Sequence, residues 1–263
     1  MSVIDFFDQH PVFTREEFLA GSGVRPGTRT VDNLLGHHVA RGRIVQVRRG
    51  LYASVPRGVD PTTAVVDPYL LASRLAPDAV VALHAALQLR GYTYSVWTRH
   101  HYLTSRRRAT LTFRGATFVA VPVPRTLQAL PEQGVIEERH AGGAVRATTL
   151  ERTLVDLLHA PRLGGGWEEV WRSLEMVPFF DLDAIAAHAL TLGSALTTAR
   201  VGYFLEQHRE SLMAEERHLA PLRAHAPRQP RYFDARRSSG SLVPGWNLIV
   251  PDDVRGRTWA EVP

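Results

Sequence analysis

The segment TRTVDNLLGHHVARGRIVQVRRGLYAS, residues 28–54, combines a helical pattern with two alternating apolar runs that follow it directly. Its apolar positions 31, 34, 35 and 39 have the spacing of one helix face, and Gly42 is typical of the position just after a helix. The runs RIVQV and LYASV predict two strands, and RRG between them predicts a turn in which Gly50 adopts a positive φ. The segment therefore predicts a helix followed by a β-hairpin with Arg48 and Arg49 at its tip.

Two shorter helices are predicted before this segment. SVIDFFDQH begins with Ser2, a good capping residue, and is stopped by Pro11. TREEFLA begins with Thr14 and has Glu17 three residues later, which is the spacing of a capping box. Three short helices followed by a two-stranded ribbon is the order of a winged helix-turn-helix, in which the last helix enters the major groove and the ribbon tip reaches phosphates. The alternative is a small α/β subdomain whose hairpin arginines only keep a sheet edge soluble.

On a helical wheel, the apolar residues of the third helix share one side with His38, and the opposite side is polar. That polar side carries Arg29, Asn33, His37 and Ala40, with Thr30 and Arg41 at its edges. Because asparagine pairs with adenine and arginine with guanine, we expect Asn33 and Arg29 to read base edges. We expect the nearby arginines to hold phosphates and fix the register. The full predicted DNA-binding set is Arg25, Thr28, Arg29, Thr30, Asn33, His37, Arg41, Arg43, Arg48 and Arg49.

The composition excludes several classes of protein. The 263 residues include no cysteine, which removes disulfides, thiolate nucleophiles and cysteine-ligated zinc. No apolar run approaches the roughly 18–20 residues that span a bilayer, and the first residues lack the features of a signal peptide. The sequence therefore predicts a cytosolic protein with no membrane partner.

Basic charge is concentrated in one part of the chain. The net charge is +5, every basic residue is arginine, and residues 90–125 contain seven arginines and no acid. A second basic patch is predicted there, with Trp97, His100, His101 and Tyr102 interleaved; its arginines are Arg99, Arg106, Arg107, Arg108 and Arg114. Such a patch can extend the contact with DNA, bind RNA through phosphate and stacking contacts, or bind an acidic protein. A fourth alternative is a sheet face that is only solvated, and the sequence does not decide among the four.

The remaining residues predict a second domain. VPRGVDP, residues 55–61, reads as a linker, which gives a winged helix-turn-helix domain over 1–58 and a second domain over 62–263. We expect two helices broken by Pro77, several strands over 92–123, a further pair around Gly142 and helices from Thr148 onward. The predicted fold class is α+β, with a mixed α+β C-terminal domain in which strands precede helices.

Signals for catalysis are weak. Histidines adjacent in sequence point to different sides of an element, no H-E-x-x-H occurs, and a phosphate-binding loop needs a lysine that the chain lacks. Asp156 follows Arg152 by one helical turn, which favours an ion pair over a catalytic carboxylate. We therefore expect no catalytic residue, metal or cofactor. The alternative is a nuclease-like enzyme that a winged helix directs to nucleic acid, and the absence of lysine weakens it.

Four motifs recur in the order of a known family. RRGLYA at 48–53, ALHAALQLRG at 82–91, TTLERTLVDLL at 148–158 and ARVGYFLE at 199–206 resemble the AbiEi antitoxins of type IV toxin-antitoxin systems. The resemblance covers nearly the whole chain. It implies a DNA-binding N-terminal domain that represses its own operon by binding inverted repeats. It also implies a C-terminal domain that counteracts a nucleotidyltransferase toxin, commonly without a stable complex.

The resemblance also implies roles for individual residues. Arg29, Thr30, Asn33 and His37 fall on the recognition helix, and Arg48 and Arg49 fall on the wing. The family supplies no catalytic residue. On this basis we expect a non-enzymatic, autoregulating antitoxin whose biological role is phage defence or plasmid maintenance.

Overall fold

The computed structural model describes residues 2–24, 28–234 and 239–259, and for Thr28 and Arg29 it describes the backbone alone. Helices and strands both contribute to the fold, so the predicted α+β class is confirmed. Contacts group the chain into two compact units. Unit 1 comprises Met1–Val81, Thr98–Pro122 and Glu137–Ala147, and unit 2 comprises Ala82–Trp97, Val123–Ile136 and Thr148–Pro263. The domain boundaries at 58 and 62 stay a prediction.

The first elements of unit 1 are three helices and an antiparallel sheet. They are α1 (Val3–Gln9), β1 (Val12–Thr14), α2 (Arg15–Gly21), α3 (Thr28–Ala40), β2 (Ile44–Arg48) and β3 (Leu51–Ser54), and the strand order is β1-β3-β2. Ser2 caps α1, and Thr14 with Glu17 forms the predicted capping box of α2. β1 was not predicted, because a three-residue strand is recognisable only from its pairing with β3.

The core beneath these helices is aromatic. Phe6, Phe13 and Phe18 are fully buried and meet edge-on or tilted with ring centroids 5.2–6.0 Å apart. Val31 and Leu35 of α3 pack onto this cluster and are also fully buried. Helix α3 is therefore fixed by its apolar side, as its spacing predicts.

The next elements build a mixed sheet whose residues fall almost entirely in unit 1. They are α4 (Pro68–Ala72), β4 (Val80–Val81), α5 (His84–Leu89), β5 (Arg99–Thr104), β6 (Leu111–Phe113), β7 (Ala116–Pro122), β8 (Val135–His140) and β9 (Gly143–Thr148). The strand order is β6-β7-β5-β4-β9-β8. The sequence predicted helix across positions 80–81, but Val80 and Val81 are β-branched and pair with strands on both sides.

Unit 2 contains the later helices and a small sheet. The elements are α6 (Leu150–His159), α7 (Trp167–Glu175), α8 (Leu182–Leu192), α9 (Ala195–Gln207), α10 (Glu216–Ala224), β10 (Arg231–Tyr232), β11 (Gly240–Val243), β12 (Leu248–Pro251) and α11 (Asp252–Gly256). The sheet order is β10-β12-β11. The cap of α6 is Thr149, one residue later than the spacing predicted. No helix in the described ranges is long and apolar enough to cross a membrane.

The motif ARVGYFLE has a structural role in unit 2. Arg200 is buried, donates hydrogen bonds to the carbonyl oxygens of Phe233 and Leu158, and has its pKa lowered by burial to about 10. Gly202 faces the indole of Trp246 so closely that a Cβ atom there would lie 2.1 Å from a ring carbon. Two residues of this motif are therefore required by packing.

Candidate nucleic-acid interface

Helix α3 divides into a buried and an exposed side as predicted. Val31 and Leu35 are buried, whereas Thr30, Asn33 and His37 are exposed. The same helix turn carries His38, whose ring meets the edge of Phe7 and whose pKa is lowered by burial. The polar side chains of α3 are therefore accessible to a ligand while its apolar side holds the helix in place.

Part of the predicted site lies outside the described residues. Arg25 is not described, and the side chains of Thr28 and Arg29 are not described either. Arg41 and Arg43 follow the end of α3 and are both exposed. The accessible, described members of the predicted set around α3 are thus Thr30, Asn33, His37, Arg41 and Arg43.

The hairpin tip separates its two arginines. Arg49 is exposed, but Arg48 is half-buried and donates a hydrogen bond from Nη2 to the carbonyl oxygen of Leu75. Gly50 completes the turn with φ +78°, the left-handed conformation that its lack of a Cβ permits. Arg49 is therefore the more accessible of the two predicted wing cations, and the DNA-binding role of Arg48 stays a prediction.

A β-bulge interrupts β2 directly before Arg48. Gln46 pairs with Tyr52 and Arg48 pairs with Leu51, so Val47 is an extra residue in β2. An extra residue shifts the alternation of side chains by one position and turns the next side chain to the other face. A regular hairpin was assumed from the sequence, and no residue in RIVQVRRG signals the bulge.

A pair of charged residues missed by the sequence analysis joins α3 to the hairpin. The Nε of Arg15 donates to Oδ1 of Asp32 over 2.6 Å, and the backbone N–H of Arg15 donates to the carbonyl oxygen of Gly50 over 2.9 Å. The hydrogen bond to Asp32 raises the pKa of Arg15. Because Asp32 is the only carboxylate in the α3 sequence, Arg15 neutralises the one negative side chain of that helix.

All five arginines of the second basic patch are exposed. Arg99 is exposed at the start of β5, and Arg106, Arg107 and Arg108 are exposed in the loop between β5 and β6, which we call the arginine loop. Arg114 donates to the carbonyl oxygen of Pro61 and lies 5.3 Å from the ring centroid of Phe113. The arginine loop is therefore the densest exposed cationic segment of the predicted patch.

The aromatic residues interleaved with these arginines are not surface platforms. His100, His101 and Tyr102 are buried in β5, and His100 contacts the rings of Tyr69 and Phe118. Trp97 stacks on the imidazole of His84 with centroids 3.9 Å apart. The expectation that they stack on nucleic acid bases alongside the arginines is not supported by their positions.

The arginine loop lies beside the hairpin tip within unit 1. The carboxylate of Asp78 accepts hydrogen bonds from Thr104 and from Ser105, the residue that begins the loop. Burial acts to raise the pKa of Asp78, but these hydrogen bonds lower it to about 2. A groove of about 460 Å³ is lined by Arg48, Arg49 and Pro77 among others, and Pro77 directly precedes Asp78.

The hairpin and the arginine loop bond to the same short segment of unit 1, Arg48 to the carbonyl oxygen of Leu75 and Ser105 to the carboxylate of Asp78. Burial raises the pKa of the Tyr102 hydroxyl, and the positive charges of both Arg48 and Arg108 oppose that rise. Arg48 belongs to the hairpin and Arg108 to the arginine loop, so both cations lie near one phenol group. The two predicted basic regions are therefore neighbours on unit 1.

The residues considered for catalysis are accounted for by packing. Arg152 donates to Asp156 over 3.3 Å within α6, and both side chains are buried, so the predicted ion pair is confirmed. Within residues 2–24, 28–234 and 239–259, no cluster of three or more histidine, aspartate or glutamate residues has a geometry suited to a metal ion. Arg152 also donates to the carbonyl oxygen of Gln133 over 2.7 Å, which further fixes the pair.

Comparison with a solved structure gives the fold a precedent. The crystal structure of the RV2827C protein from Mycobacterium tuberculosis is similar to this chain with a TM-score of 0.59 and 20% sequence identity. The similarity covers 94% of this chain and 89% of that one. No curated protein sequence matches the chain. At this level of identity the similarity concerns the fold alone.

Comparison with family models concerns the N-terminal segment. A family described as a transcriptional regulator, AbiEi antitoxin, matches residues 1–55. These residues contain α1, α2, α3 and the hairpin, which together carry the exposed polar side and the tip described above. The predicted resemblance to the AbiEi antitoxins and transcriptional regulators is therefore confirmed for residues 1–55.

Proposed function

We propose that this chain is a DNA-binding antitoxin of a type IV toxin-antitoxin system. Residues 1–58 act as a winged helix-turn-helix in which α3 is the recognition helix and the β2–β3 hairpin is the wing. The protein binds inverted repeats in its own operator and represses its own operon. It acts in the cytoplasm, because that is where its operator lies.

The observation that carries this proposal is the exposed side of α3. Asn33 and His37 lie one helical turn apart on that side, and the only carboxylate of the helix is bound to Arg15. An amide and an imidazole both exchange hydrogen bonds with base edges, and a neutralised carboxylate does not repel phosphates. Arg41, Arg43 and Arg49 supply exposed cations for the DNA backbone.

The arginine loop adds cations next to the hairpin. A duplex that contacts Arg49 also reaches Arg106, Arg107 and Arg108, because Arg48 of the hairpin bonds to Leu75 and the start of the loop bonds to Asp78, three residues further along the same segment. The aromatic neighbours of the loop are buried, which argues against a single-stranded RNA site built on stacking. The DNA backbone therefore fits the loop better than a single-stranded RNA does.

The antitoxin part of the proposal rests on the family resemblance. The C-terminal part of the chain counteracts a nucleotidyltransferase toxin, and the two proteins act without forming a stable complex. The chain acts as a regulator and not as an enzyme. Coexpression tests this directly: the full chain should restore growth to cells that express the neighbouring nucleotidyltransferase, and the two proteins should separate on size-exclusion chromatography.

A binding experiment tests the DNA-binding part. The full chain is titrated against duplex DNA from directly upstream of its gene and against a scrambled duplex of equal length and composition. We expect tighter binding to the upstream DNA and nuclease footprints over inverted repeats. Equal affinity for both duplexes contradicts a repressor, and magnesium-dependent cleavage of plasmid DNA by the purified chain favours an enzyme instead.

A further inference from the structure

Gly36 lies in the middle of α3 on its exposed side. An internal glycine destabilises a helix, because it loses more backbone freedom on folding than any other residue. Its φ is not positive, so the backbone conformation does not require glycine. Among the described residues, apart from its neighbours Leu35 and His37 and the backbone of the helix itself, no atom lies within 4 Å of the position that a Cβ would occupy. Neither conformation nor internal packing therefore accounts for the glycine.

The residues around Gly36 leave its backbone exposed. One turn before it, the carboxylate of Asp32 is held by Arg15, and one turn after it stands the small side chain of Ala40. Asn33 and His37 stand beside Gly36 on the same exposed side. The backbone of α3 is thus accessible between two side chains suited to hydrogen bonding with bases.

The dimensions of DNA make the missing side chain matter. A helix with its side chains is roughly 10–12 Å wide, and the major groove of B-DNA is about 12 Å wide. A helix fills the groove almost completely, so one side chain pointing at the groove floor changes how deeply the helix enters. The reach of Asn33 and His37 to base edges depends on that depth.

We propose that Gly36 is the point of closest approach between α3 and the bases of the operator, and that its lack of a side chain sets the depth at which Asn33 and His37 read sequence. This inference rests on the proposed function. Gly36 is a positioning residue, since it acts through its neighbours. It trades helix stability for close contact with the duplex.

Replacing Gly36 should therefore raise the stability of the protein and weaken its binding to the upstream DNA. The substitutions Gly36→Ala and Gly36→Leu introduce good helix formers and should raise the thermal midpoint by about 2–4 °C. They should weaken binding to the upstream DNA by about 5-fold for alanine and about 50-fold for leucine. Affinity for scrambled DNA should change by less than about 2-fold. The salt dependence of binding should be unchanged, because no charge is removed.

A matched variant controls for bulk added to a helix surface. Ala187 is exposed in α8 of unit 2, so Ala187→Leu should leave binding to both duplexes as in the wild type. If Gly36→Leu binds the upstream DNA as tightly as the wild type, the inference is overturned and the proposed function is unaffected. A thermal midpoint lower than that of the wild type for Gly36→Ala also overturns it. If the wild-type protein shows no preference for the upstream DNA, both the proposed function and the inference are contradicted.

Discussion

The guanidinium group of Arg48 is hydrogen-bonded to the main-chain carbonyl of Leu75. This contact turns the first of two adjacent arginines into the protein and leaves Arg49 as the exposed cation at the hairpin tip. The two residues are neighbours in sequence and have the same charge, yet the structure predicts different roles for them. One stabilises the fold, and the other is available to a polyanion.

Separate substitutions of the two arginines should therefore have different effects. Arg49→Ala should weaken binding to all DNA sequences and reduce the slope of log K against log salt by about 0.9, the value for one lost phosphate contact. Arg48→Ala should lower the free energy of unfolding by about 1–2 kcal/mol, because a hydrogen bond from a charged group is lost. Its salt slope should stay close to the wild-type value. Anisotropy titrations at several salt concentrations measure the slope, and urea unfolding measures the stability. If Arg48→Ala reduces the salt slope and Arg49→Ala does not, the assignment of Arg49 as the DNA-contacting cation is contradicted.

The arginine loop should contribute to backbone binding without sequence preference. Replacing Arg106, Arg107 and Arg108 together by alanine should reduce the salt slope by up to about 2.7 and weaken upstream and scrambled DNA alike. The matched control replaces three exposed arginines of unit 2, namely Arg209, Arg217 and Arg228, which changes the net charge equally. If both triple variants lose the same affinity, the effect is one of overall charge and not of the loop.

The hydrogen bonds from Thr104 and Ser105 to Asp78, which hold the start of the arginine loop, should make the stability of the protein depend on pH. The folded-state pKa of Asp78 is about 2, below its ordinary value of 3.8, so the ionised carboxylate stabilises the folded protein above about pH 4. That contribution is lost as the pH falls through 2. The difference in free energy of unfolding between the wild type and Asp78→Asn should therefore be largest above pH 4 and shrink toward pH 2. A difference that is constant from pH 5 to pH 2, measured by urea unfolding, contradicts the anchor.

The close contact between Gly202 and Trp246 should make unit 2 sensitive to one methyl group. Gly202→Ala forces a Cβ into the indole ring and should lower the free energy of unfolding by about 1–3 kcal/mol. Gly245→Ala is the control, because apart from its chain neighbours Pro244 and Trp246 no described atom lies within 4 Å of a Cβ built there. Chemical denaturation followed by tryptophan fluorescence measures both. Equal stability of the two variants would show that the indole moves aside without cost.

Local signals were sufficient to predict much of the N-terminal fold. Ser2 and Thr14 cap their helices, and Val31 with Leu35 forms the buried side of α3, because capping and helical periodicity depend on residues close in sequence. The turn at Gly50 was predicted for the same reason. Such features require no knowledge of what packs against them.

Features that depend on distant residues could not be predicted. Val80 and Val81 form a strand because β5 and β9 pair with them, although the surrounding residues have a helical pattern. Asp32 meets Arg15 across 17 positions of sequence. Arg48 bonds to the carbonyl oxygen of Leu75, which lies 27 positions away in sequence. The candidate site was thus predicted at the level of its elements, and the partners of its charged side chains required the structure.

The central claim is that the exposed side of α3 reads base sequence. The most direct test measures the affinity of Asn33→Ala for the upstream DNA relative to the scrambled DNA. Loss of one good base contact should reduce affinity for the upstream DNA by about 5- to 150-fold, with affinity for scrambled DNA and the salt slope unchanged. A double variant with Asn33→Ala and His37→Ala that keeps the full wild-type preference for the upstream DNA contradicts the claim.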